Sequence, residues 1–118
     1  VRLENVQVIC GDATQHDFGR TFDALVLSNV LEHIESREEF LKKVSNLANT
    51  FLIRVPLIDR DWITLYKQEL GLEYRLDPTH FTEYTEDQFI EELKSANLKI
   101  RSSRIRYGEL YAVVGKEN

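Results

Sequence analysis

The stretch Phe22-Asp-Ala-Leu-Val-Leu-Ser-Asn-Val-Leu-Glu-His-Ile34 decides the predicted fold. Its first six residues form a nearly continuous apolar run that only Asp23 interrupts. Such a run is typical of a strand buried on both faces of a parallel sheet, with helices on each side. The run stops at the small polar residues Ser28 and Asn29, and ligands in open α/β sheets bind beyond the carboxyl ends of strands. We therefore expect a ligand-facing turn from Ser28 to His33.

Length and composition limit the class of protein. The chain has 118 residues, 42% of them hydrophobic, which suits one globular domain with a core of ordinary size. Its formal net charge of −5 disfavours sequence-independent nucleic-acid binding, and no apolar run approaches the roughly 18 residues of a membrane span. The single Cys10 favours a reducing compartment. We predict a cytoplasmic protein that binds a small molecule, with no nucleic-acid or membrane partner.

Hydrophobic periodicity predicts strands and helices in alternation, and therefore an α/β fold. The predicted elements are, in order, a strand at Val6–Cys10, the strand at Phe22–Leu27, a helix that starts with a Ser36–Glu39 capping box and extends to Ala48, a strand at Phe51–Val55, a helix at Asp61–Leu70, a loop at Tyr74–Tyr84, a helix at Thr85–Asn97, and a hairpin with a bulge near Ser102 that ends in the strand Leu110–Val114. Trp62 and Tyr66 share a helix face, a pattern more typical of a core or an interface than of a lid.

Three segments resemble one enzyme family. Phe22–Ile34 resembles the fourth strand and following turn of class I S-adenosylmethionine-dependent methyltransferases of the small-molecule type. Val8-Ile9-Cys10-Gly11-Asp12-Ala13 resembles their third strand with its adenine-contacting Gly-Asp-Ala, and Asp77-Pro78-Thr79-His80-Phe81 resembles a segment before their last helix. The resemblance implies that residues 1–118 form the C-terminal part of a methyltransferase domain.

The resemblance also implies a partial Rossmann-like methyltransferase sheet, strands 3 to 7, that ends in an antiparallel hairpin. The family's sheet order is 3-2-1-4-5-7-6, so a chain without strands 1 and 2 leaves strand 3 without a neighbour and strand 4 with an open edge. An open buried edge is costly and prone to association. Strand 3 could pair beside strand 4, a partner chain could supply the missing strands, or the chain could be a fragment. A homo-oligomer or strand exchange is therefore one possible outcome.

The implied cofactor is S-adenosylmethionine. By resemblance, the Asp12 carboxylate and the Ala13 backbone N–H would contact the adenine, while Ser28, Asn29 and Leu31 would belong to the cofactor-facing turn. The alternative for Asp12 is an ordinary turn or cap residue, since Gly-Asp is common turn chemistry.

The implied reaction is transfer of a methyl group from the sulfonium to O, N or C of a small molecule. The sulfonium is already electrophilic, so the protein mainly positions two reactants and, where needed, removes a proton. His33 and His80 are the candidate catalytic residues. His33 could instead be a capping or core-edge residue, and His80 could only hold its loop by hydrogen bonds; Glu32 could pair with His33 or be a charge near the next helix. We predict no metal ligands.

The family's glycine-rich cofactor loop has no counterpart here, because the glycines lie apart at positions 11, 19, 71, 108 and 115. A competing hypothesis is a non-catalytic methyltransferase-like module that binds a partner chain through the open sheet edge. A different doubly wound enzyme, acting on NAD or a nucleotide sugar, fits less well because the glycine fingerprint is absent and those folds lack a closing hairpin.

We expect the isolated chain to be inactive or nearly so. It lacks the glycine loop and the acidic residue that binds the ribose, and a hydrogen bond to a charged group contributes about 1.5–3 kcal/mol. The loss of two such bonds would weaken cofactor binding by on the order of a hundredfold. Detectable methyl transfer by the purified 118-residue chain would contradict this expectation.

Overall fold

A computed structural model describes residues 3–117, so residues 1, 2 and 118 of the predicted domain lie outside the described part. The strands and helices, in chain order within each type, are β1 (Ala24–Ser28), β2 (Thr50–Pro56), β3 (Leu98–Arg106), β4 (Glu109–Lys116), α1 (Arg37–Val44), α2 (Trp62–Glu69) and α3 (Glu86–Ser95). Two single 3-10 turns, Leu31–His33 and Ile58–Arg60, follow β1 and β2.

The four strands form one sheet in the order β1-β2-β4-β3. The β1–β2 pair is parallel, and β4 pairs antiparallel with both β2 and β3. This order is the predicted 4-5-7-6 part of the methyltransferase sheet. The α/β class, the partial Rossmann-like sheet and the C-terminal antiparallel hairpin are therefore confirmed.

The predicted strand at Val6–Cys10 is wrong. These residues form no strand and are exposed, with Val8 exposed at 88%. A strand is stable only when a neighbour satisfies its backbone N–H and C=O groups, and within residues 3–117 no strand lies beside this segment. The alternative in which it pairs beside β1 is also wrong, and the outer edge of β1 stays open in the described part of the chain.

The prediction that β1 is buried on both faces is also wrong. Leu27 is buried, but Val26 on the opposite face is exposed at 62% and Leu52 of β2 at 42%. Helices α1 and α3 pack against alternate residues of the sheet in a single core. The helices contribute Phe40, Leu41, Val44, Phe89 and Leu93, and the strands contribute Leu27, Phe51, Ile53, Val55, Leu110, Ala112 and Val114. The helices therefore cover one face of the sheet and leave the other face open.

Two of the three predicted helix starts have the expected capping bond. Asp61 accepts a hydrogen bond from Ile63 N at 3.1 Å, and Thr85 accepts from Gln88 N at 3.1 Å. The Ser36 side chain makes no capping bond, so the predicted capping box of α1 does not form, and α1 ends at Val44 rather than Ala48. Trp62 and Tyr66 are exposed on α2, so they are not part of a core within this chain.

The C-terminal hairpin turns between Arg106 and Glu109, one residue earlier than the predicted turn at Gly108 and Glu109. Tyr107 and Gly108 form a two-residue turn with φ angles of 53° and 72°, and turns of this hand match the twist of paired strands. The pairing register shifts between Ile100 and Ser102, which confirms the predicted bulge. Asn97, predicted to terminate α3, adopts a φ of 56°.

A buried polar network ties α1 and α3 to the loop before α3. The Tyr84 hydroxyl donates to Glu92 Oε2 at 2.5 Å, and Arg37 Nε donates to Glu92 Oε1 at 2.9 Å. Burial and the bond to Glu92 raise the pKa of Tyr84 far above its usual range, so this hydroxyl keeps its proton and remains a donor. Both oxygens of this buried carboxylate are therefore satisfied.

None of the helices in residues 3–117 is long and apolar enough to cross a membrane.

Replacing Tyr84 by phenylalanine should lower the free energy of unfolding by about 1.5–3 kcal/mol, because a buried hydrogen bond to a charged carboxylate is lost. Urea denaturation measures this change. Tyr107, exposed at 86%, is the matched control, and Tyr107→Phe should change stability by less than about 0.5 kcal/mol. Equal effects of the two substitutions would show that the bond to Glu92 contributes nothing.

Candidate functional site

The chain turns sharply at the carboxyl end of β1. Asn29 has a φ of 54°, a conformation that asparagine tolerates better than most residues, and its backbone N–H donates to the Arg54 carbonyl at 2.9 Å. The next residues form the 3-10 turn Leu31–His33. Because β1 and β2 are parallel, this turn lies at the same sheet edge as the end of β2.

Glu109, at the start of β4, links three chain segments at this sheet edge by hydrogen bonds. Its carboxylate accepts from Asn29 Nδ2 at 3.2 Å, from Arg54 Nε at 2.9 Å and from Arg60 Nη1 at 3.2 Å. The bond to Glu109 raises the pKa of Arg54. The charged end of the Arg54 side chain, near the end of β2, thus pairs with a carboxylate.

The two predicted catalytic histidines lie against each other. The ring centroids of His33 and His80 are 4.7 Å apart, and the rings meet edge to face at 76°. The loop that carries His80 is fixed on the 3-10 turn by a 2.7 Å hydrogen bond from Phe81 N to the Glu32 carbonyl. Forty-seven positions of sequence separate the two rings, and the fold brings them together.

The Nδ1 atom of each ring faces an oxygen that must accept a hydrogen bond. His80 Nδ1 lies 2.7 Å from Glu83 Oε1, and His33 Nδ1 lies 3.3 Å from the Thr79 carbonyl and 3.0 Å from Thr79 Oγ1. The Thr79 hydroxyl gives its own hydrogen to Asp77 Oδ1 at 2.7 Å, so it accepts from His33. In its neutral form each ring therefore carries the proton on Nδ1, and the Nε2 lone pair is then free.

Glu32 lies beside these rings and is almost completely buried, with 1% of its surface exposed. Its Oε1 is 3.9 Å from His33 Nε2, which is too far for a hydrogen bond. Among residues 3–117, no hydrogen-bond partner is found for Glu32 Oε2. One ligand atom each from Glu32, His33 and His80 lie within 4.8 Å of one another, and we call these three residues the histidine cluster.

Asp12 forms a tight local turn. Its Oδ1 accepts from Thr14 N at 2.9 Å and from Thr14 Oγ1 at 2.7 Å, and these bonds lower the pKa of Asp12, so the carboxylate is ionised. Lys43 Nζ fixes the turn to α1 through the carbonyls of Thr14, at 2.9 Å, and Ala13, at 3.4 Å. The turn geometry of Asp12 does not exclude a ligand, since both bonds use the same oxygen.

The structure brings only some of the predicted site residues together in one groove. Asp12 and His33 line one groove of about 530 Å³ beside the amino end of α1. Ser28 instead lines a groove of about 470 Å³ on the uncovered face of the sheet. The Asn29 amide is held by Glu109, and Leu31 is fully buried in the core. The roles of these residues in cofactor binding stay predictions.

Sequence reasoning did not predict the supporting residues Thr79 and Glu83. Glu83 is 4% exposed, fixes the ring of His80 and also accepts from Leu76 N at 2.9 Å. Its one sequence signal is the position three residues after His80, which is informative only if that loop is known to be buried.

Residues 4–103 match the model of a protein family described as a methyltransferase domain. The chain belongs to this family. It is also similar to N-methyltransferase 4 of Papaver somniferum, at 33% identity over 54% of this chain and 23% of that protein. The chain spans less than a quarter of the length of the curated relatives it matches.

Solved structures of low sequence identity share the fold. An O-methyltransferase from neocarzinostatin biosynthesis, in complex with S-adenosyl-L-homocysteine and 1,4-dihydroxy-2-naphthoic acid, superimposes with a TM-score of 0.65 at 18% identity, over 91% of this chain and 33% of that one. A putative methyltransferase from Haloferax volcanii, in complex with the Trm112 methyltransferase activator, superimposes with a TM-score of 0.73 at 11% identity, over 100% of this chain and 65% of that one. The methyltransferase family and its fold are thus established for this chain.

The ring protons give a direct test of the site geometry. We expect ¹⁵N NMR at about pH 8.5, where an ordinary imidazole is neutral, to show His33 and His80 as Nδ1–H tautomers. Glu83→Gln should weaken that preference at His80 only, because an amide oxygen accepts less strongly than a carboxylate. His16, which packs edge to face on Phe18, serves as the reference ring. An Nε2–H tautomer at His80 would contradict the geometry.

Proposed function

We propose that this chain is the C-terminal part of a class I S-adenosylmethionine-dependent methyltransferase domain that methylates a small molecule. The observation that carries the proposal is the groove shared by Asp12 and His33, beside the 3-10 turn at the carboxyl end of β1. In a chain of the methyltransferase family, this groove brings a candidate adenine-contacting residue and a candidate catalytic residue into one ligand-sized space.

Asp12 and His33 of the groove, together with the neighbouring turn and His80, each have a chemical task in this proposal. The ionised Asp12 accepts from the exocyclic amino group of adenine, and the turn at Ser28–Leu31 lies along the cofactor. His33 and His80, with free Nε2 lone pairs, orient the methyl acceptor and take up its proton where the acceptor requires it. The relatives named above include an N- and an O-methyltransferase, which supports methyl transfer to N or O.

A second candidate is a methyltransferase-like module that binds a partner chain. It is favoured by the open edge of β1 and by the exposed apolar side chains of Val26 and Leu52 beside it. The Haloferax volcanii neighbour in complex with an activator gives this candidate a precedent within the fold. If association through the edge is its role, the mass in solution should rise with concentration, and a charged residue at Val26 should reverse the rise.

An NMR titration with S-adenosyl-L-homocysteine at millimolar concentration tests the first candidate, since it detects weak binding. We expect amide shifts at residues 12–14 and 28–33. Asp12→Asn should weaken binding by about tenfold, because a neutral amide is a weaker acceptor than a carboxylate. Asp17 is the matched control: it also accepts from a backbone N–H two residues on, at 3.0 Å, and Asp17→Asn should leave binding unchanged.

Shifts confined to the groove on the uncovered sheet face, or equal effects of the two aspartate substitutions, would contradict the proposed role of Asp12. The complete absence of shifts would favour the partner-binding candidate.

A further inference from the structure

We propose that the histidine cluster of Glu32, His33 and His80 binds a divalent transition-metal ion. Its three ligand atoms lie within 4.8 Å of one another. Nitrogen and oxygen ligands bind Zn²⁺ at about 2.0–2.2 Å, so atoms that share one ion are at most about 4.4 Å apart. Shifts of less than about 1 Å therefore bring the three atoms into ligation distance, and the half-exposed His33 has room for such a shift.

The hydrogen-bond partners of the two rings suit metal ligation through Nε2. Each Nδ1–H is engaged by an oxygen outside the cluster, at Glu83 for His80 and at Thr79 for His33. Metal-binding histidines usually donate their other ring N–H to a carboxylate or a carbonyl, which fixes the ring and makes the free nitrogen a stronger ligand. The Glu83–His80 pair at 2.7 Å has this arrangement, and both members are buried.

Glu32 provides an independent observation. Its side chain is 1% exposed, lies beside both rings, and has no hydrogen-bond partner on Oε2 within residues 3–117. A buried carboxylate without a partner is strongly unfavourable, so such groups normally pair with a cation or coordinate a metal. His33 Nε2 lies 3.9 Å from the other oxygen, Oε1, which is too far for a hydrogen bond. A bound cation would satisfy this carboxylate.

The ligand set indicates the class of metal. Two imidazoles and one carboxylate, with further positions open, suit Zn²⁺, Co²⁺, Mn²⁺ or Fe²⁺, whereas Mg²⁺ and Ca²⁺ prefer oxygen ligands alone. The 38% exposure of the His33 side chain leaves the solvent side of the ion free for another ligand. If the proposed methyl transfer is correct, that ligand is an oxygen or nitrogen atom of the acceptor. The two histidines then act on the acceptor through the ion and not as proton acceptors, since their Nε2 lone pairs are engaged.

Calorimetric titration of Zn²⁺ into the 118-residue chain tests the site without cofactor or activity. The experiment uses a Cys10→Ser background, because Cys10 is an exposed free thiol that could bind zinc by itself. We expect one ion per chain. Glu32→Gln and His33→Gln should each weaken binding by at least about tenfold, and Glu83→Gln by about 10–100-fold although it touches no ion. Co²⁺ should give the visible absorption bands of a low-coordinate nitrogen and oxygen site.

Two substitutions serve as matched controls. Glu35→Gln removes an exposed carboxylate three residues from Glu32, and His16→Gln removes a histidine outside the cluster; both should leave Zn²⁺ affinity unchanged. Circular dichroism confirms that each variant is folded. Absence of Zn²⁺ binding, or binding that survives Glu32→Gln and His33→Gln in folded protein, would overturn the proposal. Because cofactor binding is measured separately through Asp12, failure here leaves the proposed methyltransferase role intact.

Discussion

The pairing register of β2 is the constraint on which the rest of this structure depends. Its parallel pairing with β1 sets Ser28 opposite Arg54, and its antiparallel pairing with β4 sets Pro56 opposite Glu109. A shift of β2 by one residue would exchange its buried and exposed side chains, so the core fixes the register. The same register brings the turn after β1 and the Glu109 carboxylate to one sheet edge, where three donors from separate segments converge on Glu109.

The candidate site shows how a rigid sheet edge can position loop residues. The 3-10 turn after β1 carries Glu32 and His33, and the hydrogen bond from Phe81 N to the Glu32 carbonyl fixes the loop that carries His80. Two buried carboxylates, Glu32 and Glu83, then lie next to two imidazole rings. Buried carboxylate oxygens without hydrogen-bond partners are unfavourable in a low-dielectric environment, so this cluster costs stability unless a cation pairs with it.

One face of the same sheet is not covered by helices. Helices α1 and α3 pack on one face, so Val26 and Leu52 remain exposed on the other, next to the unpaired edge of β1. Exposed apolar surface beside an open strand edge is a feature that isolated proteins usually avoid, because it promotes association. The sequence matches to the two Papaver relatives cover 12% and 23% of those proteins, so the comparison does not show what covers these surfaces.

Local patterns in the sequence predicted the hairpin, its bulge and the ends of α2 and α3, because apolar periodicity and capping residues act over short distances. The sheet order was implied by the family resemblance. The sequence failed at Val6–Cys10 and at the second face of β1, where an apolar segment needs neighbours that the described chain does not supply. It named His33 and His80 from local patterns and the family resemblance. Only the tertiary structure decided that they touch each other and Glu32, since packing between distant segments sets those distances.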